Sequence, residues 1–371
     1  MRILCTNQSL DVRGGSESYL ETVVDELLEL GHEVHAWAFQ VGRVADRLAG
    51  LGCRIHEDLS SVGPVDVIHA QHASAALAAR AQLPDTPMVF VSHSWTIDIE
   101  DPPELAAPAA LVGLNDSVTS RLRASQLADR VPVHRLHQPV EMSAAELHRV
   151  PINERPLLAV AIARNLSSRV GVLEDACRRH GTRLEVHAGI EPTADHIEAM
   201  MRADIVFGVG RTALESMALA RATFVLDESG GAGFVTAERY PELEACGFTP
   251  AAGAATTLES VVEELSRYDR TLGQLGRELV GRHHAARAHA TQLVALYRSV
   301  LGQRPLMTLE PDVARTLAAL EQRNFELEQR GRQAEWERAR VQRELFKIWA
   351  SASWKLTRPL RALRRVRRER P

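Results

Sequence analysis

Short apolar runs alternate with longer amphipathic stretches over most of the chain. The runs Arg2–Asn7, Val34–Phe39, Arg54–His56, Val65–His69, Met88–Ser92, Ala110–Leu114 and Val133–Leu136 predict strands, because each is too short for a buried helix and is bounded by polar or turn residues. Between the first two, Leu20, Val23, Val24, Leu27, Leu28 and Leu30 recur at helical spacing, and Gly31 supplies the stop. Ala73–Gln82 and Asp116–Ala128 read as further helices. Strands alternating with helices place a parallel sheet between two helical layers, so residues 1–140 predict a Rossmann-like α/β domain.

From Pro139 to Pro156 the chain is polar, carries three prolines and shows no period, which marks 141–156 as a linker. Leu157–Ala163, the longest apolar run, opens a second Rossmann-like domain over 157–302 and reads as its central strand. Leu184–Ala188 predicts another strand and Ala194–Met201 a helix. Ala203–Thr236 then reads as strand, glycine turn, short helix and strand, with Ala213, Leu214, Met217 and Ala218 on one helix face. Thr257–Leu301 is mostly helical and is expected to close the fold against the first domain.

Beyond Pro311 the period changes. Val313, Leu317, Leu320, Asn324, Leu327, Gly331, Ala334, Arg338, Val341, Leu345 and Ile348 follow spacings of four and three, the seam of a coiled coil, so 310–350 predicts one long helix. Either a homodimer through 313–348 or a single helix lying on the body satisfies that pattern. Residues 351–371 combine Trp354, Leu356 and Leu360 with clustered arginines, a composition suited to an anionic membrane surface or to a solvated basic end.

Composition narrows the classes. With 371 residues, 45% hydrophobic and 25% charged, the chain can bury two ordinary cores. A net charge of −4 argues against wholesale nucleic-acid binding. Cys5, Cys53, Cys177 and Cys246 show no metal-ligand spacing and suggest reduced thiols. The opening apolar run is too short for a signal peptide, and no stretch approaches the ~20 apolar residues of a membrane span. The expectation is a cytoplasmic protein whose tail reaches the inner face of the plasma membrane.

Candidate chemistry collects at predicted strand ends, where ligands bind in open parallel sheets. Gly14 and Gly15 precede a helix with Ser16 as a candidate cap, allowing backbone to approach a phosphate. The three-glycine nucleotide-cofactor pattern is absent, which weighs against a dehydrogenase. Arg164 and Arg169 follow the long apolar run. Gly208 and Gly210 break the later strand, Arg211 and Thr212 open a helix whose start favours an anion, and Glu215 sits one turn in. His93 lies just past a strand end, with His69 and His72 as weaker candidates and Asn115 as a helix cap.

Leu214-Glu215-Ser216-Met217-Ala218, behind Gly208 and Gly210, resembles the donor-binding region of GT-B glycosyltransferases, in particular the family-4-like, compact, bacterial surface-polysaccharide type. Gly14-Gly15-Ser16-Glu17 and Gly31-His32-Glu33-Val34 resemble the opening of the same group, and Gly230–Thr236 its glycine-rich motif. The resemblance implies two Rossmann-like domains facing a cleft. It implies a nucleotide-diphosphate sugar as donor substrate, no cofactor or metal, and a glycan or lipid-linked acceptor. Arg164, Arg169, Arg211 and Thr212 would hold the diphosphate, Glu215 the donor sugar or ribose, and His93 would act with Glu215 in catalysis. Family members carry a second glutamate where this chain has Phe207. A catalytically degenerate scaffold and a sugar epimerase of the same fold are the rival readings.

Overall fold

The computed structural model describes residues 1–142, 151–162, 169–187, 194–228, 230–250, 256–305 and 310–350. In chain order the first part runs β1 (Arg2–Leu10), α1 (Gly15–Glu29), β2 (Glu33–Val41), α2 (Arg43–Leu51), β3 (Arg54–His56), β4 (Val67–Ala70), α3 (Ala73–Gln82), β5 (Met88–Ser92), β6 (Ala110–Gly113), α4 (Asp116–Arg123) and β7 (Val133–Arg135). These strands form one parallel sheet in the order β3-β2-β1-β4-β5-β6-β7.

The second part runs β8 (Leu158–Ile162), α5 (Val170–His180), β9 (Arg183–His187), α6 (Ala194–Arg202), β10 (Ile205–Gly208), α7 (Arg211–Ala218), β11 (Ala222–Leu226), β12 (Gly231–Phe234), α8 (Tyr240–Ala245), α9 (Leu258–Leu265), α10 (Thr271–His283) and α11 (Ala286–Val300). Its sheet has the order β12-β11-β10-β8-β9. The middle place belongs to β10, not to β8 as the longest apolar run had suggested. β12 was not anticipated: the glycine-rich stretch pairs antiparallel on the edge, with Gly233 at φ +81° where a side chain would be strained.

Two further expectations need correction. Gly14, not Ser16, is the N-cap of α1, and the Ser16 hydroxyl turns to Glu17 at 3.1 Å. The helix predicted over Asp116–Ala128 ends at Arg123 and is followed by a separate 3-10 turn, Gln126–Asp129.

α11 belongs spatially to the first sheet. Leu293, Val294, Leu296, Tyr297 and Val300 sit in the same apolar cluster as Ile3, Cys5, Tyr19, Leu20 and Val91. The second sheet has its own aromatic core, in which Phe207, Phe224 and Phe234 meet in series, tilted and then edge-on, with ring centroids 5.0 and 5.1 Å apart. α12 (Pro311–Ala350) follows. The chain divides into two compact units, Met1–Ala318 and Ala319–Pro371.

Candidate functional site

At the carboxyl edge of the first sheet β1 outruns its neighbour β4, whose last residue pairs with Thr6. Asn7 and Gln8 therefore continue past β4 while β1 still pairs with β2, and Gln8 N–H donates to His72 Nδ1 at 3.2 Å; Gln71 and His72 follow the end of β4, and His93 the end of β5. Thr6 Oγ1, Asn7 Nδ2, Gln8 Nε2, His69 Nε2, both amide atoms of Gln71 and both ring nitrogens of His93 are buried without a protein partner. A buried polar atom left unpaired costs ~1–3 kcal/mol, and these are eight of the eleven such atoms among the described residues, gathered at and just inside the carboxyl end of this sheet.

His93 is the centre of this edge. Its backbone N–H donates to Glu100 at 2.9 Å, and Tyr19 meets its ring edge-on with centroids 4.6 Å apart. Burial pushes its pKa down to about 4; Glu100 opposes the shift, while His72 and Arg211 add to it. The imidazole is thus neutral near pH 7, able to accept or donate one hydrogen bond. Next to it, His72 Nε2 lies 3.3 Å from Glu100. Burial would lower His72, but the Glu100 carboxylate outweighs it and raises its pKa. His72 holds this place at φ +64°, a strained backbone for a non-glycine residue.

The second sheet presents its carboxyl edge through β8 and β10, which are adjacent and parallel. Gly208 ends β10, and a Cβ there would come within 2.5 Å of Thr212, so the close return of the helix onto the strand requires glycine. Gly210 caps α7 at φ +55°. Arg169 caps α5 on the same edge and donates to the Thr256 and Glu228 carbonyls at 3.0 and 3.2 Å, tying two loops together. Arg164 lies outside the described residues. Phe207, standing where a family glutamate is expected, is fully buried in the aromatic core and does not reach the edge.

The two edges meet through Arg211 and Glu215. Arg211 Nε donates to Glu215 Oε1 at 3.0 Å, NH2 to Thr22 Oγ1 of α1 at 2.8 Å, and NH1 to the Pro139 carbonyl at 3.1 Å. Two of the three guanidinium nitrogens thereby tie α7 to α1 and to the 137–140 crossing, while the third stays on Glu215 within α7, so Arg211 acts as a clamp at the helix start. Arg13, beside the Gly14-Gly15 turn, approaches Glu215 Oε1 at 4.0 Å and holds Glu21 at 2.9 Å. The structure therefore brings Arg13, next to the Gly14-Gly15 turn, to Glu215, and Arg211 close enough to His93 for its charge to be felt, while Thr212 follows Arg211 in α7 and Arg169, Gly208 and Gly210 lie on the edge of the second sheet. Asn7, Gln8, Gln71 and Glu100 escaped the sequence reading, because a polar residue at a strand end looks like an ordinary turn.

The chain crosses between domains at residues 137–140 and 284–286, and the crossings are bonded to each other. Val140 N donates to the His284 carbonyl at 2.9 Å, and His284 Nδ1 to the Gln138 carbonyl at 2.7 Å. That carbonyl fixes the proton on Nδ1, so Nε2 accepts from Tyr240 at 2.9 Å. Glu244 of α8 accepts from His137 at 2.9 Å and from Arg135. Among the described residues His137, Glu244 and His284 are close enough to hold a metal ion, their ligand atoms lying within 4.8 Å of one another. Arg135 on the same carboxylate oxygen makes the group a charge clasp between domains and a poor cation site.

No family model and no curated protein matches the chain. Solved structures do. AviGT4, a glycosyltransferase involved in avilamycin A biosynthesis, aligns at TM-score 0.52 and 14% identity, covering 82% of this chain and 98% of that one. WaaG, a glycosyltransferase involved in lipopolysaccharide biosynthesis, aligns at 0.52 and 12%, covering 80% and 99%. A putative UDP-N-acetylglucosamine 2-epimerase from Listeria monocytogenes aligns at 0.50 and 12%, covering 80% and 96%. Identities this low speak to fold alone. The alignments run over about four-fifths of this chain and nearly all of each neighbour, both sheets included: the chain has the GT-B fold.

Proposed function

We propose that the chain is a glycosyltransferase that moves a sugar from a nucleotide-diphosphate sugar to a hydroxyl of a glycan or lipid-linked acceptor in cell-surface polysaccharide synthesis. The observation that carries this reading is the meeting of Glu215 and the α7 start with a buried, unpaired polar edge around His93. The helix start and Arg169 supply positive charge for a departing diphosphate, to which Arg164, five positions earlier in the sequence, is expected to add, and fixed charge of this kind is the largest service a protein can render the reaction. Such compensation supports a reaction without a metal. Glu215 offers a carboxylate to sugar or ribose hydroxyls, while Gln8, Gln71 and His93 offer donors and acceptors to the incoming alcohol. The bond from anomeric carbon to diphosphate breaks, the glycosidic bond forms with configuration retained, and the acceptor proton leaves with the diphosphate.

The test is release of nucleoside diphosphate from a panel of donors, preceded by a thermal-shift screen to name the base. The parent turns over one donor, chelator leaves the rate unchanged, and Glu215→Ala abolishes it. Phe207 in the core and the fully engaged Arg211 favour a second reading, a nucleotide-sugar-binding scaffold. Thermal stabilisation without turnover of any donor supports that reading. An altered sugar formed without acceptor supports an epimerase. The basic tail supports attachment at the inner membrane face, checked by flotation with anionic vesicles; among the described residues no helix is long and apolar enough to cross a membrane.

A further inference from the structure

The opening turns of α12, up to Ala318, bury one side, and along the helix a large apolar stripe is exposed. Ala314 and Ala318 are buried, and Leu317 and Ala318 pack into the apolar cluster that includes Leu4, Ile68 and Phe90. At about 100° per residue, Leu327 lies about 180° around the helix from Ala318, and Val313, Leu320 and Val341 fall within about 40° of that direction. These four large apolar side chains are each about half exposed, at 48, 53, 55 and 54% for Val313, Leu320, Leu327 and Val341. Their positions differ by multiples of seven, the recurrence that keeps a helix face on a partner helix.

We propose that a second copy of this chain covers that stripe, as a parallel, in-register two-stranded coiled coil over 320–348. With Leu320, Leu327 and Val341 at d positions, Asn324 occupies an a position. Aligned in register, the two Asn324 amides face each other and satisfy one another; any shift by a heptad would set each against Leu317 or Gly331. The flanking charges choose the direction. Arg323 stands at g and Glu328 at e, and in a parallel pair each g side chain meets the e position five residues on in the partner. Positions 330 and 335 repeat the arrangement as arginine and glutamate in the sequence. An antiparallel pair would set e against e, bringing Glu321 and Glu328 against like charges. Gly331 and Arg338 weaken the seam, so association depends on concentration.

Sedimentation equilibrium of the full chain tests this. The mass rises with concentration from 40.9 kDa toward twice that value. Leu320→Glu with Leu327→Glu holds it at one chain, while Gln329→Glu, exposed on the opposite face, leaves the rise intact. In a Cys246→Ser background, Leu320→Cys oxidises to an interchain disulfide and Gln329→Cys does not, because only a parallel, in-register seam brings residue 320 to its own copy. A mass that stays single at every concentration overturns the proposal, as does a dimer indifferent to the double substitution. Equal cross-linking at 320 and 329 overturns it as well. All three positions are exposed in the single chain, so the variants keep its fold.

Discussion

Replacing Glu244 by Gln removes the charge that ties Arg135 and His137 to the second domain. Burial alone would raise this carboxyl, but the hydrogen bonds and charges of His137 and Arg135 hold it at about 2 against an ordinary 4.5. The gap between those values corresponds to at most ~3.4 kcal/mol, and water reaching the group from one side reduces this to ~2 kcal/mol. Because the folded-state value is depressed, the contribution is fully present above pH 4.5 and is lost as pH falls through 2. By pH 3 about three-fifths of it is gone. Urea unfolding of parent and Glu244→Gln, followed by tryptophan fluorescence from pH 7 to 3, isolates this one group as the difference between the two chains. A difference that stays constant down to pH 3, or that is negligible at pH 7, refutes the assignment of Glu244 as an ionic clasp.

Burial holds His69 and His289 at about 3, and His93 and His284 at about 4, whereas unfolded histidine titrates near 6.5. The unfolded chain therefore binds more protons below pH 6.5, and stability falls with pH through that window by up to ~1.4 kcal/mol per pH unit for each histidine. His72, raised by Glu100, opposes them with a contribution present below its unfolded value, so the thermal midpoint measured from pH 7 to 5 drops by less than four protons would give. Gln71→Leu removes two unpaired buried amide atoms and is expected to leave stability unchanged or raise it by ~1 kcal/mol, while raising the KM for acceptor; a destabilised chain with intact turnover contradicts the ligand role. Leu293→Ala, in the α11 segment buried in the first core, should cost ~2–5 kcal/mol in urea unfolding.

The alternation of apolar runs made both sheets legible, down to the limits of β3, β5 and α3. Much of what was missed has one cause: partners distant in sequence. Tyr19 with His289 at 3.0 Å, and His69 with Tyr297 at 2.6 Å, join residues more than two hundred positions apart, and nothing local in fifteen histidines singles these out. The same holds for Arg211. Its place at a helix start reads as an anion ligand, and only the packing of α7 against α1 shows that Thr22 and the Pro139 carbonyl have taken its nitrogens. Phe207 was legible as a missing glutamate but not as a core residue, since one apolar residue at a strand end can face either way. β12 was hidden by its two glycines among four residues, a composition that names a loop before it names an edge strand.

The return of α11 to the first sheet has a consequence for biosynthesis. Although β1 to β7 leave the ribosome first, the hydrophobic surface that Leu293 and Tyr297 seal stays open until the chain has been made to Val300. The leading half must wait, its apolar face uncovered, while the whole trailing sheet is translated, and such intermediates are where holdase chaperones act. A gene fragment ending at His283 would leave that wait without an end.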